Sequence, residues 1–293
     1  MAYTSGTAAN YKDLLAVLAS FAAANGWTVL EQTAASLVLC GSGLAGLDEI
    51  YCAIDTYENS ATSAYQWRMY GAWGFRPGKA NRLVHCSPAP CLAYFWNAAM
   101  PYWMVANGRR LIVAARVGTT YQMAHLGLLT PPATDAQYPY PLLIAGSGSS
   151  LTAAYSTTSL RAFWATTRDE TNRGGWLHQP GGEWAFLARP DRSSSLPSFY
   201  AESVCSALSG RILSGLDGTY LLEPVVMVAN RVESSTPGWQ YASSCFGRVE
   251  GLFRVSGHNN TAENIITVDG VNYLVLPDTA LSGFGDFCAL MMT

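Results

Sequence analysis

The residues of this chain that could do chemistry are four histidines, seven cysteines and a few adjacent carboxylates. His85, Cys86 and Cys91 share one loop. A structural zinc ion takes about four nitrogen or sulfur ligands in a tetrahedron, and His125, His178 and His258 lie far off in sequence. No Cys-x-x-Cys pair occurs, so no metal site is expected. A cysteine nucleophile needs a base and a group that orients it, and no cysteine here carries such a signature. Gly146-Ser147-Gly148-Ser149-Ser150 has linker composition and is not a nucleophile elbow. Carboxylates adjoin at Asp48-Glu49 and Asp169-Glu170. Glycoside hydrolysis needs two carboxyls facing each other across a sugar, whereas neighbours along a strand point to opposite faces. Trp73, Trp176, Trp184 and Trp239 could line a carbohydrate platform, although core packing is the commoner use of such rings. The Gly-rich turns lack the strand-to-helix context of a phosphate loop. Catalytic, cofactor-binding and metal-binding residues are therefore expected to be absent.

The elements that would position these groups read as α+β, predominantly antiparallel β. Asn10 is a good N-cap, and Tyr11, Leu14, Leu15, Leu18, Phe21 and Ala22 follow helical spacing until Asn25-Gly26. Residues 1–10 are small and polar and read as an extended arm or disordered lead. From Trp27 the period changes to two. Segments 27–31, 36–40, 50–57 and 65–73 predict a four-stranded meander on which the helix packs. Residues 76–93 read as a Pro-containing loop. Strands at 102–106 and 110–117 flank Asn107-Gly108, which predicts a type I′ hairpin turn. A third strand follows over 119–129, and Asp269-Gly270 predicts another tight turn. Pro131-Pro132 and Tyr138-Pro139-Tyr140-Pro141 hold an extended arm. The Ser/Gly run near residue 149 divides the chain into 1–149, a helix plus antiparallel β domain, and 150–293, a β-sandwich-like region with long loops. Interleaving of the two as sheets is the alternative organisation.

Composition narrows the function classes. Charged residues make up 13% of the 293, about half the usual soluble share, while aromatics reach 12%. So few charges suit a surface partly covered by other subunits. A net charge of -3 with scattered basic residues gives no footprint for nucleic acid. No apolar run is long enough for a membrane helix, and the N-terminus lacks a secretory pattern. Synthesis in a cytoplasm is expected, with reduced cysteines as buried small side chains.

One stretch carries a resemblance. Trp96-Asn97-Ala98-Ala99-Met100-Pro101-Tyr102-Trp103-Met104-Val105-Ala106-Asn107-Gly108-Arg109-Arg110, followed by Tyr138-Pro139-Tyr140-Pro141, resembles virion structural proteins of tailed bacteriophages. The similarity extends to Asn25-Gly26-Trp27, to residues 43–51, and weakly to Val271-Asn272-Tyr273-Leu274. It covers about half the chain, chiefly residues 10–146, and residues 150–205 depart from it. The resemblance implies a non-enzymatic structural subunit of the virion, in the tail baseplate or tail tip. Its partners would be other virion proteins and copies of itself in a symmetric oligomer. Tyr94, Trp96, Tyr102, Trp103, Tyr138 and Tyr140 are the expected interface residues. Two alternatives stay open within the virion: a neck, collar or capsid-decoration position, and a tail module binding host-surface glycan through Trp176, Trp184 or Trp239. A glycan hydrolase is the remaining class.

Overall fold

A computed structural model describes residues 1–44, 48–132, 141–148, 162–164, 174–179, 182–187, 198–202, 220–232, 241–281 and 283–293. The chain begins with β1 (Ala2–Ala8) and α1 (Tyr11–Ala24), followed by β2 (Thr28–Gln32), β3 (Ser36–Ser42), β4 (Glu49–Asn59) and β5 (Ala64–Ala72). A two-residue pair, β6 (Gly74–Phe75) and β7 (Leu83–Val84), precedes β8 (Cys91–Phe95). Next come β9 (Met100–Asn107), β10 (Arg110–Val117), β11 (Thr120–Leu128) and β12 (Leu142–Gly146). The remainder comprises β13 (Gly175–His178), β14 (Trp184–Leu187), β15 (Ser198–Glu202), β16 (Glu223–Val232), β17 (Tyr241–Val255), β18 (Ile265–Val268), β19 (Val271–Pro277) and β20 (Phe287–Met291). The fold is α+β and mostly antiparallel β, as the periodicities predict.

Two main sheets organise these strands. The smaller runs β2-β3-β4-β5-β8, so the expected meander gains β8 as a fifth strand. Among the described residues the larger has thirteen strands in the order β1-β9-β10-β11-β12-β13-β14-β15-β16-β17-β20-β19-β18, with β14–β15 parallel and the other pairs antiparallel. It runs without interruption from the first half of the chain into the second.

Strands β9 to β12 are the middle of the molecule, and their sequences say why. They are near-continuous apolar runs, the pattern of strands buried on both faces. One face, including Met104, Val113, Leu126 and Ile144, packs with Trp67 and Phe95 of the smaller sheet and Leu14 and Leu18 of α1. The other face, including Val105, Ile112, Met123 and Leu143, packs with Val225, Leu252, Leu274 and Leu290 of the later strands. The large sheet thus curls back over itself. Thr130 and Arg248 close the curl by exchanging two backbone hydrogen bonds of 2.9 Å.

Helix α1 forms where its sequence signals place it. Asn10 Oδ1 accepts from the amides of Lys12 (2.9 Å) and Asp13 (3.0 Å), and the Asp13 carboxylate accepts from the Ala9 amide (2.7 Å). These bonds satisfy amides that a helix start otherwise leaves unpaired. The buried side is Tyr11, Leu14, Leu15, Leu18, Ala19 and Ala22, with Phe21 half-buried.

Three expectations change. Residues 2–8 are neither a free arm nor disordered, because β1 pairs with Met100–Ala106 of β9, and the Tyr102 ring lies over Gly6. A Cβ there would come within 2.7 Å of the Tyr102 oxygen, so glycine is what lets the ring close over the strand. The loop at 76–93 contains β7 and the start of β8, since the cross-strand partners Gly74 and Phe75 and Tyr65–Met69 supply the hydrogen bonds. The Asn107 hairpin exists, but its loop is Gly108-Arg109 and neither residue has a positive φ. Instead Asn107 Oδ1 accepts from the amides of Arg109 (3.0 Å) and Arg110 (3.1 Å), an Asx-type closure. The Asp269-Gly270 turn does have both φ angles positive, 52° and 78°, as a type I′ turn requires.

Candidate functional site

Two features that sequence leaves far apart meet at the end of α1. The helix stop at Gly26 touches the Gly108 turn, and Trp27 Nε1 donates to the Asn107 carbonyl at 2.7 Å. The contact ties the smaller sheet to the middle strands and gives both Asn-Gly pairs one structural role.

The groups with chemical potential gather elsewhere, in an open cavity of about 730 Å³ where the smaller sheet meets the β13–β14 hairpin. Asp48, Glu49 and Tyr51 enter from the start of β4, Trp73 from the end of β5, His85 from just after β7, and His178 and Gly182 from the hairpin. The β6–β7 pair positions two of these, with the Trp73 amide donating to the Val84 carbonyl at 3.1 Å. His85 follows in the left-handed region at φ 50°. The hairpin positions a third: His178 pairs directly with Trp184, and the Gln179 amide donates to the Glu183 carbonyl at 2.8 Å. Sequence alone shows only the turn signal of Gly181-Gly182.

His178 is buried between two indoles. Its ring meets Trp73 edge-on at 4.5 Å between centroids and Trp184 at 5.0 Å. Burial lowers its pKa to about 4, against a backbone hydrogen bond with Gly182, and nearby His85 pushes the same way as burial. The imidazole is therefore neutral at physiological pH, and the wall it forms with Trp73 is aromatic and uncharged. From the start of β4, Tyr51 donates to Glu49 Oε2 at 2.5 Å, which together with burial raises the phenol to about 12. The Asp48 carboxylate takes no hydrogen bond from any described residue, while its backbone carbonyl accepts from Gly43.

Asp48 and Glu49 both face this cavity, contrary to the strand-alternation expectation. The reason is that β4 begins at Glu49, so Asp48 precedes the strand and escapes its alternation. Of the tryptophans, Trp73 and Trp184 come together around His178, whereas Trp176 is buried in the first core beside Phe186. Trp239 lies outside the described residues, as do Asp169 and Glu170.

Cys91 and Cys86 do not pair as ligands. Cys91 is buried in β8 with its thiol 2.9 Å from the Ile144 carbonyl, while Cys86 is exposed. Among the described residues no cluster of three potential ligands could hold a metal ion. Cys52 and Cys288 are buried thiols that desolvation pushes up, which removes thiolate reactivity. Cys245 is exposed and Cys205 lies outside the described residues.

Of the residues expected at an interface, Tyr94, Tyr102 and Trp103 turn inward. Tyr94 is 1% exposed within β8, Tyr102 lies over β1, and Trp103 is 8% exposed and stacks on Tyr121 at 6.1 Å. Each ring is covered by this chain's own strands because burial inside the fold removes more apolar area from water than a rim position would. Trp96 is half-buried against the first core. Tyr138 and Tyr140 lie outside the described residues.

Neither a comparison with protein-family models nor one with curated proteins finds a match. No helix among the described residues is long and apolar enough to cross a membrane.

Proposed function

We propose that this chain is a non-enzymatic structural subunit of a tailed-bacteriophage virion, placed in the tail baseplate or tail tip and held by packing against copies of itself and other virion proteins. The observation that carries the reading is the nature of the sheet's two ends. Among the described residues, strands β1 (AYTSGTA) and β18 (IITV) are the terminal strands of the thirteen-stranded sheet, and neither contains a charge or a proline. Free-standing proteins guard such edges with charges, prolines or bulges, because a bare edge pairs with other chains. In β18 the edge is also apolar, with Ile265 54% exposed. Edges of this kind suit a chain that neighbours cover in an assembly.

The low charge of the chain and its resemblance at Trp96–Arg110 point the same way. Within this class, the neck, collar or capsid-decoration position is the alternative. Gold-labelled antibody on intact particles, viewed by electron microscopy, separates the positions. Label at the distal tail is the expected result, and label at the neck or head transfers the subunit there. Absence of label from both intact and disrupted particles overturns the structural reading.

A further inference from the structure

From the cavity between β4 and the β13–β14 hairpin, we infer that this chain carries a glycan-binding site for a neutral pyranose. The ligand's apolar ring face would lie against Trp73, and its hydroxyls would donate to Asp48 and Glu49. The site is independent of where the chain sits in a particle.

At about 730 Å³ the cavity is in the range of small-molecule sites, with room for a ligand of one or two rings and far more than a bare ion needs. Two carboxylates line it, and the described lining residues include no lysine or arginine, so phosphate and other anions are repelled. A wholly apolar ligand would strip water from Asp48 and Glu49 and return no hydrogen bond, which is costly for a charged group. A sugar ring satisfies both halves of the wall. Its C–H face can cover an aromatic surface, and its hydroxyls are donors that carboxylates accept.

Other details fit this chemistry. The carboxylate of Asp48, half-buried at the rim, takes no hydrogen bond from a described residue and has acceptor capacity available. Glu49 is already oriented by the Tyr51 hydroxyl, so one of its oxygens is held in place before any ligand arrives. Trp73 is braced by the His178 ring, and His178 in turn by Trp184, so the aromatic wall is assembled in advance. Preorganisation of this kind lowers the ordering cost of binding. An acidic rim also sets specificity, because sugars bearing carboxylates or sulfates meet like charge.

The test uses the purified full-length chain on an array of neutral, acidic and amine-bearing oligosaccharides. Any neutral hit is then titrated by calorimetry in the presence and absence of tetramethylammonium chloride. The expected result is retention of one or more neutral glycans, rejection of acidic ones, and no competition by the ammonium salt. Asp48→Asn should weaken the titrated glycan by about tenfold or more, the range of a lost charged hydrogen bond, and Trp73→Ala should weaken it as well through the lost ring contact. Because Trp73→Ala could disturb packing, the half-buried Asp48→Asn is the deciding variant, with its thermal midpoint measured alongside. Four outcomes overturn the proposal: no neutral glycan bound at millimolar concentration, acidic glycans preferred, binding restricted to amines and abolished by the ammonium salt, or neutral binding unchanged in a folded Asp48→Asn protein.

Discussion

His178 and Trp184 are direct cross-strand partners in the β13–β14 hairpin, and the same imidazole meets Trp73 of the smaller sheet at 4.5 Å. One side chain thereby joins a late hairpin of the large sheet to the rim of the meander. Because burial holds its pKa near 4, this junction depends on pH. The unfolded chain takes up the proton near the ordinary value of about 6.5, the folded chain only near 4. The contribution is therefore complete above pH 6.5 and is lost as pH falls towards 4, at up to about 1.4 kcal/mol per pH unit. Buried His125, lowered to about 3, adds to the loss in the same direction. Urea unfolding measured between pH 7 and 4 should show this decline, and His178→Gln should flatten it by one proton. A slope unchanged in that variant would mean that His178 is not the titrating group.

The contact between the smaller sheet and β12 rests on a missing side chain. A Cβ at Gly71 would approach Ile144 Cγ1 to 2.7 Å and the Trp184 ring to 2.9 Å. Gly71→Ala should therefore cost about 1–3 kcal/mol, the usual penalty for overpacking. Denaturant midpoints would register it, and a cost below about 0.5 kcal/mol would show that the sheets can slide apart without strain.

Arg110 on β10 is buried at 3% exposure and pairs with Glu250 on β17, with Thr130 Oγ1 accepting a further bond at 2.6 Å. The pair links the middle strands to the strands that curl over them. Glu250 is partly exposed, so solvent screens the attraction, and Glu250→Ala should cost about 1–2 kcal/mol. Arg110→Met keeps the packing of the stem and removes the buried charge, so it should be tolerated better than Arg110→Ala. Equal losses in the two Arg110 variants, measured by chemical denaturation, would assign the cost to the charge alone.

The edge strand β18 offers a separable test of assembly. Adding charge through Ile265→Lys should change the stability of the isolated chain by less than about 0.5 kcal/mol, since Ile265 is exposed. It should nevertheless reduce self-association by sedimentation and lower incorporation into particles, because a charged edge resists pairing. Full incorporation of the variant would remove β18 from the list of contact edges.

Much of the scaffold was legible because it is written in local signals. The Asn10 cap and the 3.6-residue spacing after it placed α1, and alternation placed the meander. The near-continuous apolar runs of β10 and β11 belong to strands buried on two faces. Asp269-Gly270 adopts its type I′ turn because the positive φ angles are a property of those two residues. Asn107-Gly108 misled for the complementary reason: the side chain of Asn107 found amides two and three residues on and closed the loop without positive φ.

Sequence by itself determined the α+β class, the helix, the meander and the strands flanking Asn107, because periodicity and capping act over a few residues. Only the tertiary structure decided that residues 2–8 form an edge strand, since β9 supplies the hydrogen bonds they could not make alone. It also turned Tyr94, Tyr102 and Trp103 inward, because an aromatic ring does not announce which sheet will cover it. Asp48, Trp73, His85 and His178 come from four separate stretches, and no spacing relates them. They share a cavity because the β6–β7 pair and the β13–β14 hairpin are carried to the same rim by strand pairing many residues away.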